Sequence, residues 1–233
     1  MADTLDFLLE IGCEEMPSAP LMNAAKQLPK LVQKRLDAAG LSHGAVRVVS
    51  SPRRLAAIVS DVAVATEVID EVMRGPKAQI AFDAEGNPTK AAAGFARKCG
   101  IEASELQVRT AEDGNDYVFA QKSVPSKPAM PILSELSHDV IADIEWPNYR
   151  SQRWGSEHET FVRPIRWICA LMGSEVVPVT YADVTSGNVT RGHRVLAPGE
   201  HVVADPASYE SVLEAAFVLS ADRREEVIRK GIA

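Results

Sequence analysis

Residues 106–123, LQVRTAEDGNDYVFAQKS, set two alternating runs on either side of Asp113-Gly114-Asn115, which is the pattern of two strands joined by a tight turn. So short a turn leaves no room for a crossover, and the two strands must run antiparallel. The same grammar recurs along the chain. AVRVVSSPRRLAAIV (45–59) is two short apolar runs about Ser50, Ser51 and Pro52, which puts Arg53 and Arg54 just past a turn, and DFLLEIG (6–12) reads as a single strand. ICALM and VVPVTYADV read as adjacent strands across Gly173-Ser174.

Helical periodicity falls between these hairpins. Apolar residues at 21, 25, 28, 32, 36 and 39 mark one helix, opened by Ser18 and Pro20 and closed by Gly40, with Pro29 predicted to kink or divide it. Thr89 is placed to cap a short helix ending at Gly100, after a turn at Asp83–Asn87; positions 132, 133, 136, 140, 141 and 144 mark another over 131–145. Asp205, with Pro206 next, opens a helix over 206–216, and a short strand and a last helix follow. Hairpins interleaved with helices predict an α+β fold with mixed, largely antiparallel sheets and helices packed on them, and argue against a doubly wound parallel sheet. SVPSKPAMP (123–131) holds three prolines in nine residues and suggests two lobes, 1–122 and an arginine-rich 131–233, with a single domain as the alternative.

At 233 residues and 46% apolar composition the chain can bury a real core without staples. Its three cysteines, Cys13, Cys99 and Cys169, are odd in number and have no CxxC spacing, so they read as reduced, buried thiols of a cytoplasmic protein. No run approaches the roughly 18 apolar residues of a spanning helix, and the first fifteen residues have the wrong charge order for a secretory signal.

The charge is unevenly spread. The formal net charge is −7, yet residues 146–194 contain six arginines (150, 153, 163, 166, 191 and 194), no lysine and four acids, a local charge of +2. Arginine is the cation whose planar fork matches phosphate and stacks on rings. Arg153-Trp154 and FVRPIRW (161–167) interleave guanidinium groups with aromatics, and SGNVTRGHR (186–194) gathers Arg191, His193 and Arg194 between glycines. That combination suits holding an anion, either RNA or a partner's surface; pairing of the same arginines with internal carboxylates is the structural alternative.

Catalytic signatures are missing. There is no GxxxxGK[ST], GxGxxG or GxSxG, and the histidines at 43, 138, 158, 193 and 201 are not spaced as helix-borne metal ligands. No metal site is expected. Glu14 and Glu15 point to opposite sides of a strand end, and His138-Asp139 lacks the further ligands a phosphohydrolase metal needs.

Taken in order, LLEIGCEEMP (8–17), SPRRLA (51–56), the segment 74–100, RWG (153–155), FVRPIRWICALMG (161–173) and SGNVTRGHR (186–194) resemble the N-terminal part of the β subunit of bacterial glycyl-tRNA synthetase, the α2β2 type. Cys13 and Gln152 depart from that pattern, where threonine and methionine are favoured. The resemblance implies the N-terminal portion of a longer cytoplasmic subunit serving ATP-dependent glycylation of tRNA(Gly). It implies an α subunit that carries the catalytic core with ATP and Mg, and a β subunit that contributes tRNA binding and assembly. No cofactor and no catalytic residue are then expected in this segment, and the family's HD-like domain lies further along, so His138-Asp139 does not inherit that role. The contact candidates to RNA or partner are Arg53, Arg54, Arg150, Arg153, Arg163, Arg166, Arg191, His193 and Arg194. A purely structural assembly module and an editing-like deacylase remain the alternatives.

Overall fold

In a computed structural model of the chain, residues 3–83 and 85–232 are described; residue 84, inside the expected turn at Asp83–Asn87, lies outside them. The strands are β1 (Thr4–Cys13), β2 (Val46–Ser51), β3 (Arg54–Ala63), β4 (Ile69–Lys77), β5 (Gln107–Thr110), β6 (Asp116–Val124), β7 (Gln152–Arg153), β8 (Thr160–Phe161), β9 (Ile165–Met172), β10 (Glu175–Val176), β11 (Thr180–Tyr181), β12 (Val184–Gly187), β13 (Val189–Arg191) and β14 (Glu200–Val202). The helices are α1 (Ser18–Ala39), α2 (Ala78–Ala81), α3 (Lys90–Cys99), α4 (Ala129–Ala142), α5 (Tyr209–Ala215) and α6 (Ala221–Ile232).

Two compact units result, and their division differs from the lobes 1–122 and 131–233. One unit comprises the chain up to Thr66 together with everything from Pro128 on; the other is the insertion Glu67–Lys127. The reason is β1, which pairs antiparallel with β3 on one edge and with β9 on the other, so both ends of the sequence share one sheet. Its order is β11-β12-β9-β1-β3-β2, with β10 paired to β9. All pairs are antiparallel except β12 against β9. The expected α+β architecture with mainly antiparallel sheets is therefore the one observed.

The central strands are covered on both faces, which is why β1 and β9 read as nearly unbroken apolar runs. Phe7, Leu9 and Ile11 face the core cluster that includes Leu28, Val32 and Leu36 of α1 and Leu133 and Val140 of α4. Leu8 points the other way, onto Ile58, Leu171, and Tyr209 and Leu213 of α5. Alternation along the strand puts Glu10 and Gly12 on that second face as well. In the insertion, β4, β6 and β5 form an antiparallel sheet on which Ala92, Ala96 and Cys99 of α3 pack against Val118 and Ala120. The Thr89 side chain accepts from the Ala91 amide and caps α3.

Several local expectations change. α1 runs through Pro29 as one helix; Leu28, Val32 and Leu36 are all buried against the same core on either side of it, and that packing outweighs the lost backbone bond. The second half of 173–183 is broken at Pro178 into β10 and β11, because proline cannot donate to a ladder. Residues Ala78–Ala81, just before the expected turn at Asp83–Asn87, form the short helix α2. Asp205 does cap, accepting from Ser208 N at 2.7 Å, but the first turn is 3-10 and α5 starts at Tyr209. No strand forms between α5 and α6. SGNVTRGHR is strand for most of its length, β12 and β13, and turns into loop at Gly192.

Candidate functional site

Four motifs far apart in sequence meet at one end of the large sheet. The end of β1, the turn before β3 and the segment leading into β9 are tied there by backbone bonds, Cys13 N to Arg53 O, Met16 N to Pro52 O and Glu14 N to Pro164 O, at 2.9, 2.7 and 3.0 Å, and the end of β13 is joined to them by the Arg54 side chain. Across the sheet Gly12 stands between Arg54 on β3 and Trp167 on β9. A Cβ on Gly12 would lie 1.9 Å from the indole, so only glycine leaves room for this ring.

Trp167 is the floor of the site. The guanidinium carbons of Arg191, Arg53 and Arg54 lie 5.4, 5.5 and 5.8 Å from its ring centroid, within cation–π range. The ring is 5% exposed, so it anchors the arginines from beneath and is not an open stacking platform.

Arg54 is not on the surface. It is 2% exposed and Glu10 beneath it is 0% exposed. Its Nη1 donates to Glu10 Oε1 at 3.2 Å and to Thr190 Oγ1 at 3.1 Å, Nε donates to Ser51 Oγ, and Nη2 donates to the Arg191 carbonyl. Thr190 donates to Glu10 at 2.8 Å. Burial, opposed by Arg54, holds the Glu10 carboxyl above its ordinary value, and the Tyr209 hydroxyl beside it is pushed up for the same first reason. A carboxylate in this position fixes Arg54, and Arg54 fixes the backbone of β13. Its expected role as a contact residue is corrected to that of an internal strut, because a charge so deep is held by its counter-charge.

The other arginines are accessible and only partly neutralised. Glu14 takes Arg194 Nη2 at 2.8 Å and Arg166 Nε at 3.4 Å; Arg194 also reaches Glu15 at 3.5 Å, and Arg191 reaches Glu200 at 3.6 Å. Arg163 donates to the Glu15 and Val162 carbonyls. Arg53 has no ion pair among the described residues, and its buried Nε has no hydrogen-bond partner there. Burial, and next the neighbouring Arg194 charge, hold the Arg53 guanidinium below its ordinary range, with Glu14 opposing and Arg54 and Arg191 adding to the repulsion. Five guanidinium groups, Arg53, Arg163, Arg166, Arg191 and Arg194, thus stand with three carboxylates, Glu14, Glu15 and Glu200.

Two depressions flank Arg53 and Arg194. One, of 320 Å³, is lined by Arg53, Arg191, Arg194 and the glycines 192 and 199. The other, of 630 Å³, shares Arg53, Gly192 and Arg194 and adds Arg224, Val195 and Phe217. Gly192 is required where they meet: a Cβ there would lie 2.4 Å from the Ala197 carbonyl oxygen and 2.7 Å from His201 Nε2. His193 shapes the loop through its Nδ1, which accepts from the amides of Val195 and Leu196.

Of the residues singled out from sequence, Arg53, Arg163, Arg166, Arg191, His193 and Arg194 come together here. Arg150 and Arg153 do not; Arg153 lies on β7 opposite Thr160, and neither lines either depression. His138 lies near Asp139, whose carboxylate is taken by Arg35 of α1 at 2.7 Å. Sequence reading missed Phe217 and Arg224. Nothing in the pattern around 217 announces that its backbone takes a left-handed φ of 59°.

A family model described as glycyl-tRNA synthetase beta subunit matches residues 7–233. Among curated relatives, the "Glycine–tRNA ligase beta subunit" of Myxococcus xanthus is 42% identical over 228 residues, covering 97% of this chain and 32% of that protein. The proteins of the same name from Moorella thermoacetica and Oleidesulfovibrio alaskensis are 41% and 39% identical over 96% and 97% of this chain. The chain spans about a third of the length of the curated relatives it matches.

Proposed function

Since the chain belongs to the glycyl-tRNA synthetase β-subunit family, we propose that this region supplies an arginine-lined grip on the tRNA backbone in the ATP-dependent glycylation of tRNA(Gly). One observation carries the reading: the arginines of SPRR, RPIR and TRGHR converge with an excess of positive charge on a chain whose net charge is −7. A positive patch on a negative body draws a polyanion to one place and repels it elsewhere.

In this reading the region recognises and does not transform. Its side chains hold phosphate oxygens, while the chemistry, ATP and Mg belong to an α subunit in a cytoplasmic α2β2 assembly. His193 shapes the loop, its Nδ1 accepting from two backbone amides.

The test is tRNA(Gly) binding by the full α/β complex as a function of salt. Each phosphate contact contributes roughly 0.7–0.9 to the slope of log affinity against log salt. Replacing Arg191 and Arg194 by alanine is expected to weaken binding and lower that slope by about 1–2 units. An unchanged slope removes RNA from the role, and loss of the complex itself would assign the arginines to the subunit interface instead.

A further inference from the structure

The two depressions at Arg53 and Arg194 differ in chemistry, and together they have the amphipathic character of one nucleotide. The smaller, 320 Å³, presents three guanidinium groups and glycine backbone, with Glu200 as its only acid. The larger, 630 Å³, brings the apolar Val195, Phe217 and Val218 next to Arg53 and Arg194. It falls within the roughly 300–1,000 Å³ of small-ligand pockets. Its apolar lining is not spare core surface: Val195 is 78% exposed and Phe217 59% exposed.

Phe217 is costly where it stands. Its φ near +59° is that of the residue just past the end of α5: the Phe217 amide donates to Glu214 O and the Val218 amide to Leu213 O, the paired bonds that close a helix through a left-handed residue, usually glycine. The TRGHR loop is tied to the same turn, where Ala216 O accepts from His193 N at 2.9 Å. The turn that ends α5 therefore presents an aromatic face to solvent beside Arg53, which has no ion pair among the described residues, and the partly neutralised Arg194.

We infer that this cleft receives one unpaired nucleotide of the bound RNA, its phosphate held by Arg53, Arg191 and Arg194 and its base laid against Phe217. The inference rests on the proposed backbone grip and specifies the strand state: paired bases offer no free face, and single-stranded segments are recognised by stacking on aromatic rings and on guanidinium planes. Arg53 lines both depressions and has no ion pair among the described residues, so it is the cation that a phosphate would pair with. A protein segment carrying a carboxylate and an apolar side chain is the competing occupant, and the experiment separates the two.

Phe217→Gly removes the ring and suits the left-handed backbone, so the variant folds at least as stably as wild type. In the full α/β complex, tRNA(Gly) affinity for this variant is expected to fall roughly five- to 150-fold, the worth of one stacked base. Its salt slope should be unchanged, and Phe217→Trp should restore the affinity. Arg191→Ala with Arg194→Ala should instead lower the slope. If Phe217→Gly leaves affinity intact while the arginine variant flattens the slope, the nucleotide pocket is refuted and the phosphate grip stands. If neither variant changes RNA binding, both fall. If Phe217→Gly dissociates the subunits with RNA affinity preserved, the occupant is the partner protein and the inference is overturned.

Discussion

Gly12→Ala puts a methyl carbon 1.9 Å from Cε2 and 2.0 Å from Cδ2 of Trp167, where ordinary contact begins near 3.4 Å. The ring or the strand must therefore withdraw by about 1.5 Å. The ring has little freedom to do so. Trp167 is 5% exposed and its neighbours on β9, Ile165 and Ile168, are locked in the core. Overpacking a site of this kind costs about 1–3 kcal/mol, which for a domain of this size lowers Tm by about 2–12 °C. The same displacement carries the indole away from Arg53, Arg54 and Arg191, so weaker RNA binding should accompany the loss of stability. A control exists in Gly94, inside α3, where an added Cβ meets nothing within 4 Å and φ is ordinary. There alanine should stabilise the helix by roughly 0.5–1 kcal/mol. Amide hydrogen exchange, read separately on β1 and on α3, reports both changes in the same subunit. If Gly12→Ala leaves β1 protection and Tm as in wild type, then the glycine is not there to admit the indole and the reasoning about the floor of the site is wrong.

Other perturbations test the struts and counter-charges. Cys13, Cys99 and Cys169 are free and buried, and burial pushes the Cys13 thiol up to about 12, so a disulfide reagent at pH 8 should label none of these three before unfolding. Arg54→Leu strands the Glu10 carboxylate and should cost about 3–5 kcal/mol in denaturant unfolding; a loss below 1 kcal/mol would contradict the buried pair. Glu10→Gln tests the sign of the coupling. Folded Glu10 holds its proton above the ordinary 4.5, so its contribution to stability is fully present below that value and is lost as pH rises through the folded one. Wild type measured against Glu10→Gln should gain stability on acidification from pH 7 toward 4.5, and a relative loss would reverse the assignment. Glu14→Gln frees Arg166 and Arg194 from their shared carboxylate. Stability should change by less than about 1 kcal/mol, as for exposed pairs, while RNA affinity at low salt rises; a fall in affinity would mean that Glu14 orients the arginines more than it neutralises them.

Local chemistry was legible in the sequence and long-range geometry was not. The Thr89 and Asp205 caps, the SPRR turn and the apolar faces of α1 and α4 follow from rules that reach four or five residues. The insertion Glu67–Lys127 was hidden because no local rule says that β9 will return to β1, roughly 150 residues earlier in the chain. Arg53 and Arg54 look alike as letters, yet Arg54 opens β3 and is buried on Glu10, while Arg53 stands in the turn before it and lines the two depressions. The position of Glu10 in the middle of an apolar run was the available signal, since a charge inside a strand buried on both faces needs a partner. Phe217 gave no such sign: it fills the left-handed position that closes α5, where glycine is the usual letter.

The carboxylates among the arginines are part of how the proposed grip would work. Five guanidinium groups without acids would repel one another and remain mobile, and a mobile arginine loses rotamer entropy when it binds. Glu14 prevents this by bridging Arg166 and Arg194, and Glu200 steadies Arg191. These pairs are exposed and individually weak, so a phosphate can take the arginines over at little cost. Arg53 is the exception that sets the direction of the reaction: it sits over Trp167, hemmed by Arg54, Arg191 and Arg194, and has no ion pair among the described residues. An anion arriving there relieves existing repulsion as well as forming new contacts, and this makes the floor of the cluster the point from which the proposed RNA grip is set.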